Sequence, residues 1–281
     1  MESLDKLTLW SITKTFKAKI IITWVLVAIE NALMVSIPLF IGFAIDSLLK
    51  KEFSDLITLA TIIFLLITIS ILRRVYDTRA YGKIRIELGV EVDHRLQKQS
   101  VTTRNARLDM SRELVDFLEQ EVPPLFTAVI QLVASVIILS SFGWQLGVTP
   151  VIACLLMLTI YACSHRQFHQ LNAKMNGQKE QQVSVLSTLP LSGLKAHLAR
   201  LNHFEVKISD TEAWVYGSIF FVMFSFVLIN LVWATDIEAM TSGSIFSVMS
   251  YSLEFMDAAI MLPMVLQTLS RLSEITQRIN E

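Results

Sequence analysis

The 281 residues carry 24 Lys and Arg against 25 Asp and Glu, and a net charge of -1 favours no polyanionic partner such as nucleic acid. Only 17% of the residues are charged and 53% are hydrophobic, with a mean hydropathy of +0.54, whereas a soluble domain is about 25% charged. Nine Gly and six Pro exclude collagen-like and low-complexity chains, and two cysteines, Cys154 and Cys163, exclude a disulfide scaffold. What remains is an all-α integral membrane protein.

Residues 1–19 read as an amphipathic surface helix. Leu4, Leu7, Trp10 and Ile12 fall near helical spacing, with Lys6, Lys14, Lys17 and Lys19 between them, a pattern that lies on a membrane face. The apolar stretch that follows is too long for a signal-peptide core and has no small-residue cleavage site. A transmembrane helix needs about 20 mostly apolar residues. Six stretches meet that need, at 20–45, 56–72, 125–142, 146–164, 217–234 and 244–269. The alternating pattern of barrel strands is absent from them.

Orientation follows from the basic residues. The lead carries 4 Lys and Arg, residues 73–122 carry 10, residues 165–216 carry 6 and the C-terminal end carries 2. The remaining pair, Lys50 and Lys51, sits in the first short loop, and the other two short loops have none. Both termini and the long loops 73–122 and 165–216 are therefore expected in the cytoplasm, as one single domain in the inner membrane.

Loops of about 50 residues are too long to be structureless. Val75, Leu88, Val92, Leu96, Leu108, Leu114 and Leu118 alternate with charges and predict helices two and three running on past the membrane. Arg166–Ser187 is expected to continue helix four and His197–Trp214 to lead into helix five, with a break at Pro190–Gly193. Such extensions need partners for their apolar stripes, on each other and on a second copy of the chain.

This arrangement resembles the membrane domain of ABC exporters of the six-helix type. Ile37-Pro38-Leu39-Phe40-Ile41-Gly42-Phe43-Ala44-Ile45-Asp46 is similar to that family's end of helix one. Asp116-Phe117-Leu118-Glu119-Gln120 before Pro123-Pro124-Leu125 resembles its lead into helix three, and Thr241-Ser242-Gly243-Ser244-Ile245-Phe246 its lead into helix six. The resemblance implies a transporter working by alternating access, as a homodimer with swapped helices.

Two departures qualify it. A phosphate loop needs G-x-x-x-x-G-K-[ST], and Gly82-Lys83 is followed by Ile84 with Asp77 where the first Gly belongs. Leu191-Ser192-Gly193 continues as Leu194-Lys195 and is not an ATPase signature. The short helix that would dock on an ATPase is also unrecognisable around Gln99–Asp109. The chain is in this respect similar to the SbmA-like peptide transporters, which use the proton gradient. The alternative is a membrane subunit whose ATPase is a separate or removed chain, docking at Gln99–Asp109 and Ser187–Lys195. A third reading is a membrane scaffold or receptor subunit, in which the buried charges serve assembly alone.

Charges inside hydrocarbon cost about 2.5–3.5 kcal/mol each at a helix centre and point to function. Glu30, beside Asn31, is read as mid-way along the first span, and Glu254 and Asp257 as mid-way along the sixth, with no Lys or Arg at comparable depth. Glu254 and Asp257 are three apart and share a helical face, where two carboxylates resist ionising together. That suits a proton site or a cavity for a cationic or amphiphilic substrate. The bland alternative is hydrogen bonding to backbone or to Gln131 and Asn230 on neighbouring helices, which would fix helix contacts.

Met249, Met256, Met261 and Met264 read as apolar filler before a ligand surface. His165 and His169 have a metal-compatible spacing but no third ligand nearby. Pro38, Pro150 and Pro263 predict kinks. No nucleophile–base pair is visible, so the expectation is a non-enzyme without cofactor or metal.

Overall fold

The structure is a computed structural model that describes residues 9–182 and 191–280, with the side chains of Leu9, Trp10, His169, Leu191, Ser192 and residues 262–280 outside that description. The described residues form helices and no strand: α1 Leu9–Thr15, α2 Lys17–Leu49, α3 Ser54–Arg95, α4 Val101–Asp116, α5 Val122–Phe142, α6 Trp144–Glu180, α7 Leu191–Asp236 and α8 Ser242–Asn280. A single π-helical turn, Phe117–Glu121, joins α4 to α5.

Five of these runs are long and apolar enough to cross a membrane: α2, α3, Val101–Phe142, α6 and Gly193–Asp236. The sixth predicted span, 244–269, lies within α8, and its last eight residues carry side chains outside the described set. At 1.5 Å per residue, the 33 residues of α2 reach about 50 Å and the 42 of α3 about 63 Å. A hydrocarbon core is about 30 Å thick, so both helices are longer than it.

One end of the molecule holds tight turns at Lys50–Phe53, Gly143 and Ile237–Thr241; the other holds α1 and the long loops. At the tight-turn end, Lys51 takes φ 63°, a left-handed conformation that stops α2. Its N–H bonds Leu48 O at 2.9 Å, and that of Glu52 bonds Ser47 O at 2.9 Å. The first long loop is only a turn at residues 96–100. Ser100 caps α4 by accepting from the Thr103 N–H at 3.2 Å, and Arg104 grips Asp93 across the turn at 2.6 Å.

Ile12, Phe16 and Ile20 pack with Tyr81, Ile84, Leu88, Val92, Leu114 and Leu118 in a core at the long-loop end. Ile12 is 0% exposed. Ile12, one of the apolar residues of the predicted surface helix, packs in protein against residues of α3 and α4. Leu4, Lys6 and Leu7 lie outside the described residues.

Arg85 of α3 ties this core to the π-helical turn, with Nη2 2.5 Å from Asp116 Oδ1 and a second bond to Glu119. Ala153, Met157, Ile219, Met223, Phe226, Phe255 and Ala259 join α6, α7 and α8 in a second core. Leu139, Leu146, Ala234, Val248 and Tyr251 form a third near the tight turns. α7 takes in Leu191–Gly193, so of the predicted break only Pro190, outside the described residues, precedes a helix.

Candidate functional site on the seam between α2 and α8

A run of hydrogen bonds sets the register of α2 against α8. Asp46, near the end of α2, accepts the Gly243 N–H at 2.9 Å through Oδ1 and the Thr241 hydroxyl at 2.5 Å through Oδ2. Its carboxylate thereby caps the first turn of α8, where unpaired N–H groups favour a negative charge. Gly42 and Gly243 touch here, and a Cβ on either would collide with the other's backbone. One turn further, Ser247 donates to Pro38 O at 2.9 Å, and then Tyr251 donates to Val35 O at 2.6 Å. Pro38 has no N–H to return to its own helix, and hydroxyls from α8 bond carbonyls on either side of it.

The next turn of this antiparallel seam brings Asn31 level with Glu254, each eleven residues beyond the Gly42–Gly243 contact. Asn31 is 2% exposed and donates through Nδ2 to Val27 O at 2.8 Å. Its Oδ1 has no partner, and neither has the buried Oε2 of Glu254. Asp257, one turn on, is exposed on a stripe with Phe246, Leu253 and Met261. Among the described residues, neither Glu254 nor Asp257 forms an ion pair.

Two predicted site residues belong elsewhere. Glu30 faces α3: its Oε2 lies 2.5 Å from Arg73 Nε, and its Oε1 accepts from Ser70. Arg73 also lies 3.8 Å from Asp77, which holds the Thr23 hydroxyl at 2.6 Å. The expectation that no cation reaches the depth of Glu30 is therefore corrected. Glu30 precedes Lys50 by 20 residues and Arg73 follows Phe53 by 20, so the hairpin turn sets them level, about 30 Å from it. Hydropathy drops at Arg73, and on that ground the sequence alone assigns it to the loop.

Asn230 is 0% exposed and is spent on other partners, accepting from Thr149 at 2.5 Å and donating to Ser252 at 2.9 Å. It joins α6, α7 and α8 on the side of α8 away from Glu254. Gln131 is half-buried on α5 and makes no hydrogen bond to Glu254 or Asp257 among the described residues.

Sequence reading misses Arg73, Asp77, Thr23, Ser70, Ser247 and Tyr251. The four-residue spacing of Arg73 and Asp77 is a visible signal for the first two. Hydroxyls that donate to a neighbouring helix leave no such pattern. Cys154 is half-buried and Cys163 exposed. No cluster of three or more metal-ligating side chains occurs among the described residues; the side chains of Pro263, Met264 and His169 lie outside them.

Five helical runs long and apolar enough to cross a membrane define a multi-pass helical membrane protein. The chain belongs to the ABC transporter transmembrane region family, whose model matches residues 9–243. These 281 residues contain no ATPase domain. No curated protein matches the chain. Glu254 and Asp257 lie beyond the matched range, so their roles rest on the seam itself.

Proposed function

We propose that this protein is an inner-membrane transporter that moves a cationic or amphiphilic substrate, peptide or drug-like, by alternating access. It works as a homodimer without an ATPase of its own and takes its energy from protons bound at Glu254 and Asp257. The family supports membrane transport. The finer reading rests on one observation: two carboxylates a turn apart on α8, one with a buried free oxygen and one exposed, have no cation among the described residues. Carboxylates in an apolar bundle trade charge for a proton when no partner holds them ionised. Glu30, held by Arg73, is a structural ion pair in this reading.

Alternating access would part α2 from α8, and the polar seam runs the length of that contact. Both termini lie in the cytoplasm, by the distribution of Lys and Arg. The second reading, an exporter subunit served by a separate ATPase, draws on the family alone. Its docking surface would be Gln99–Asp109, which takes in the start of α4, together with Ser187–Lys195.

Proteoliposomes loaded with a fluorescent cationic dye separate the two. An imposed pH gradient should drive dye flux with no nucleotide present. Flux that appears only when ATP and a membrane-extract ATPase fraction are added would favour the second reading.

A further inference from the structure

The geometry points to a shared-proton site between Asn31 of α2 and Glu254 of α8, in which the protonated carboxyl donates to the Asn31 carbonyl oxygen. This deepens the proton-coupled reading above and rests on it for its consequence in transport. Two orphan oxygens occupy the same level of one seam. Asn31 Oδ1 and Glu254 Oε2 are both buried and both without a hydrogen-bond partner. Every preceding turn of that seam is closed by a bond across it, from Asp46 to Gly243, from Ser247 to Pro38 and from Tyr251 to Val35. At the fourth turn both groups are acceptors once the carboxylate is ionised, and no described side chain donates to either oxygen.

The orientation of the amide is set by its surroundings. Asn31 Nδ2 gives one of its two N–H groups to Val27 O at 2.8 Å, and Oδ1 is the atom of the amide left without a bond. A buried acceptor without a donor is left with its desolvation cost unrecovered. A proton on Glu254 satisfies both oxygens with one bond, and its loss leaves two acceptors opposed. The seam is thus closed at its fourth turn when loaded and open there when empty.

Other charged groups leave this site alone with Asp257. On α2 the neighbouring Glu30 is turned to Arg73 of α3. On α8 the other titratable neighbours are Asp257, exposed one turn away, and Tyr251, bonded to Val35 O. The stretch of α5 level with the site carries Gln131 and no titratable side chain, and α7 from Gly217 to Ala234 has none. On α6 only Cys154 and Tyr161 titrate within the span, along with Cys163 at its end, and the charged residues of α4 all precede the π-helical turn.

Infrared difference spectra of the reconstituted full chain test the site directly. On lowering the pH, the wild type should gain a hydrogen-bonded carboxylic C=O band that is missing in Glu254→Gln. In Asn31→Leu the band should persist at higher frequency, having lost its acceptor. Asp257→Asn should keep the band, since the shared proton lies between Asn31 and Glu254. A wild type without the band, a band indifferent to Asn31→Leu, or a band erased by sodium at fixed pH would each overturn the proposal. If the band behaves as stated while no pH gradient drives flux, the shared proton stands and the transport reading falls. Gradient-driven flux without the band would do the opposite, keeping the transport reading and removing the shared proton.

Discussion

Glycine 42 and glycine 243 set how closely α2 and α8 approach. Each faces the other's backbone, and Gly243 also faces Asp46, so a methyl group on either has no room. Gly217 of α7, by contrast, has nothing within 4 Å of where a Cβ would stand. Gly42→Ala and Gly243→Ala should each destabilise by about 1–3 kcal/mol, the usual cost of overfilling a packed contact. Gly217→Ala should be neutral or stabilising by up to about 1 kcal/mol, through helix propensity. Unfolding of the three variants in mixed detergent micelles checks the ranking. A second residue-scale test concerns the pair formed by Glu30 and Arg73. Arg73→Ala strands a largely buried carboxylate and should cost about 3–5 kcal/mol, whereas the double change Glu30→Gln/Arg73→Gln should recover most of it. The same unfolding assay reads both. A double variant no better than the single would mean the charges serve something other than each other.

At the level of elements, the apolar runs are plain in the sequence because a helix in lipid must be apolar all round, whatever its neighbours are. The long extensions are plain too, from charges alternating with Leu and Val. Partnership between helices is not. Hydropathy, a property of one helix, puts Arg73 outside the second span, while its depth is set by the hairpin that brings it level with Glu30. Asn230 reads as a neighbour of the α8 carboxylates because polar residues in adjacent spans look alike in a string. In the fold it bonds Thr149 and Ser252 instead. The pairing of Glu254 with Asp257 needs only spacing on one helix and so is readable; that of Asn31 with Glu254 needs the register of α2 on α8. The separation of the two polar networks is testable. Asn230→Leu removes two interhelical bonds worth about 0.6 kcal/mol each in membrane bundles. It should lower stability by about 1 kcal/mol and leave the pH profile of transport unchanged. A shifted profile would return Asn230 to the carboxylate site.

For the whole molecule, helix length and surface composition agree on how it sits in a bilayer. Trp214 and Trp233 are 19 residues apart on α7, about 29 Å along the axis, and both are exposed. That spacing matches the roughly 30 Å between the two interfaces where Trp concentrates. Glu254 lies twelve residues into α8, about 18 Å along it from its first residue. A carboxylate with a buried free oxygen and no ion pair among the described residues is the feature that most separates this chain from a purely structural bundle. The most direct measurement is dye flux in proteoliposomes under an imposed pH gradient without nucleotide, comparing wild type with Glu254→Gln/Asp257→Asn. The account predicts gradient-driven flux in the wild type and its loss in a double variant that still folds and inserts. Equal flux in both would contradict it.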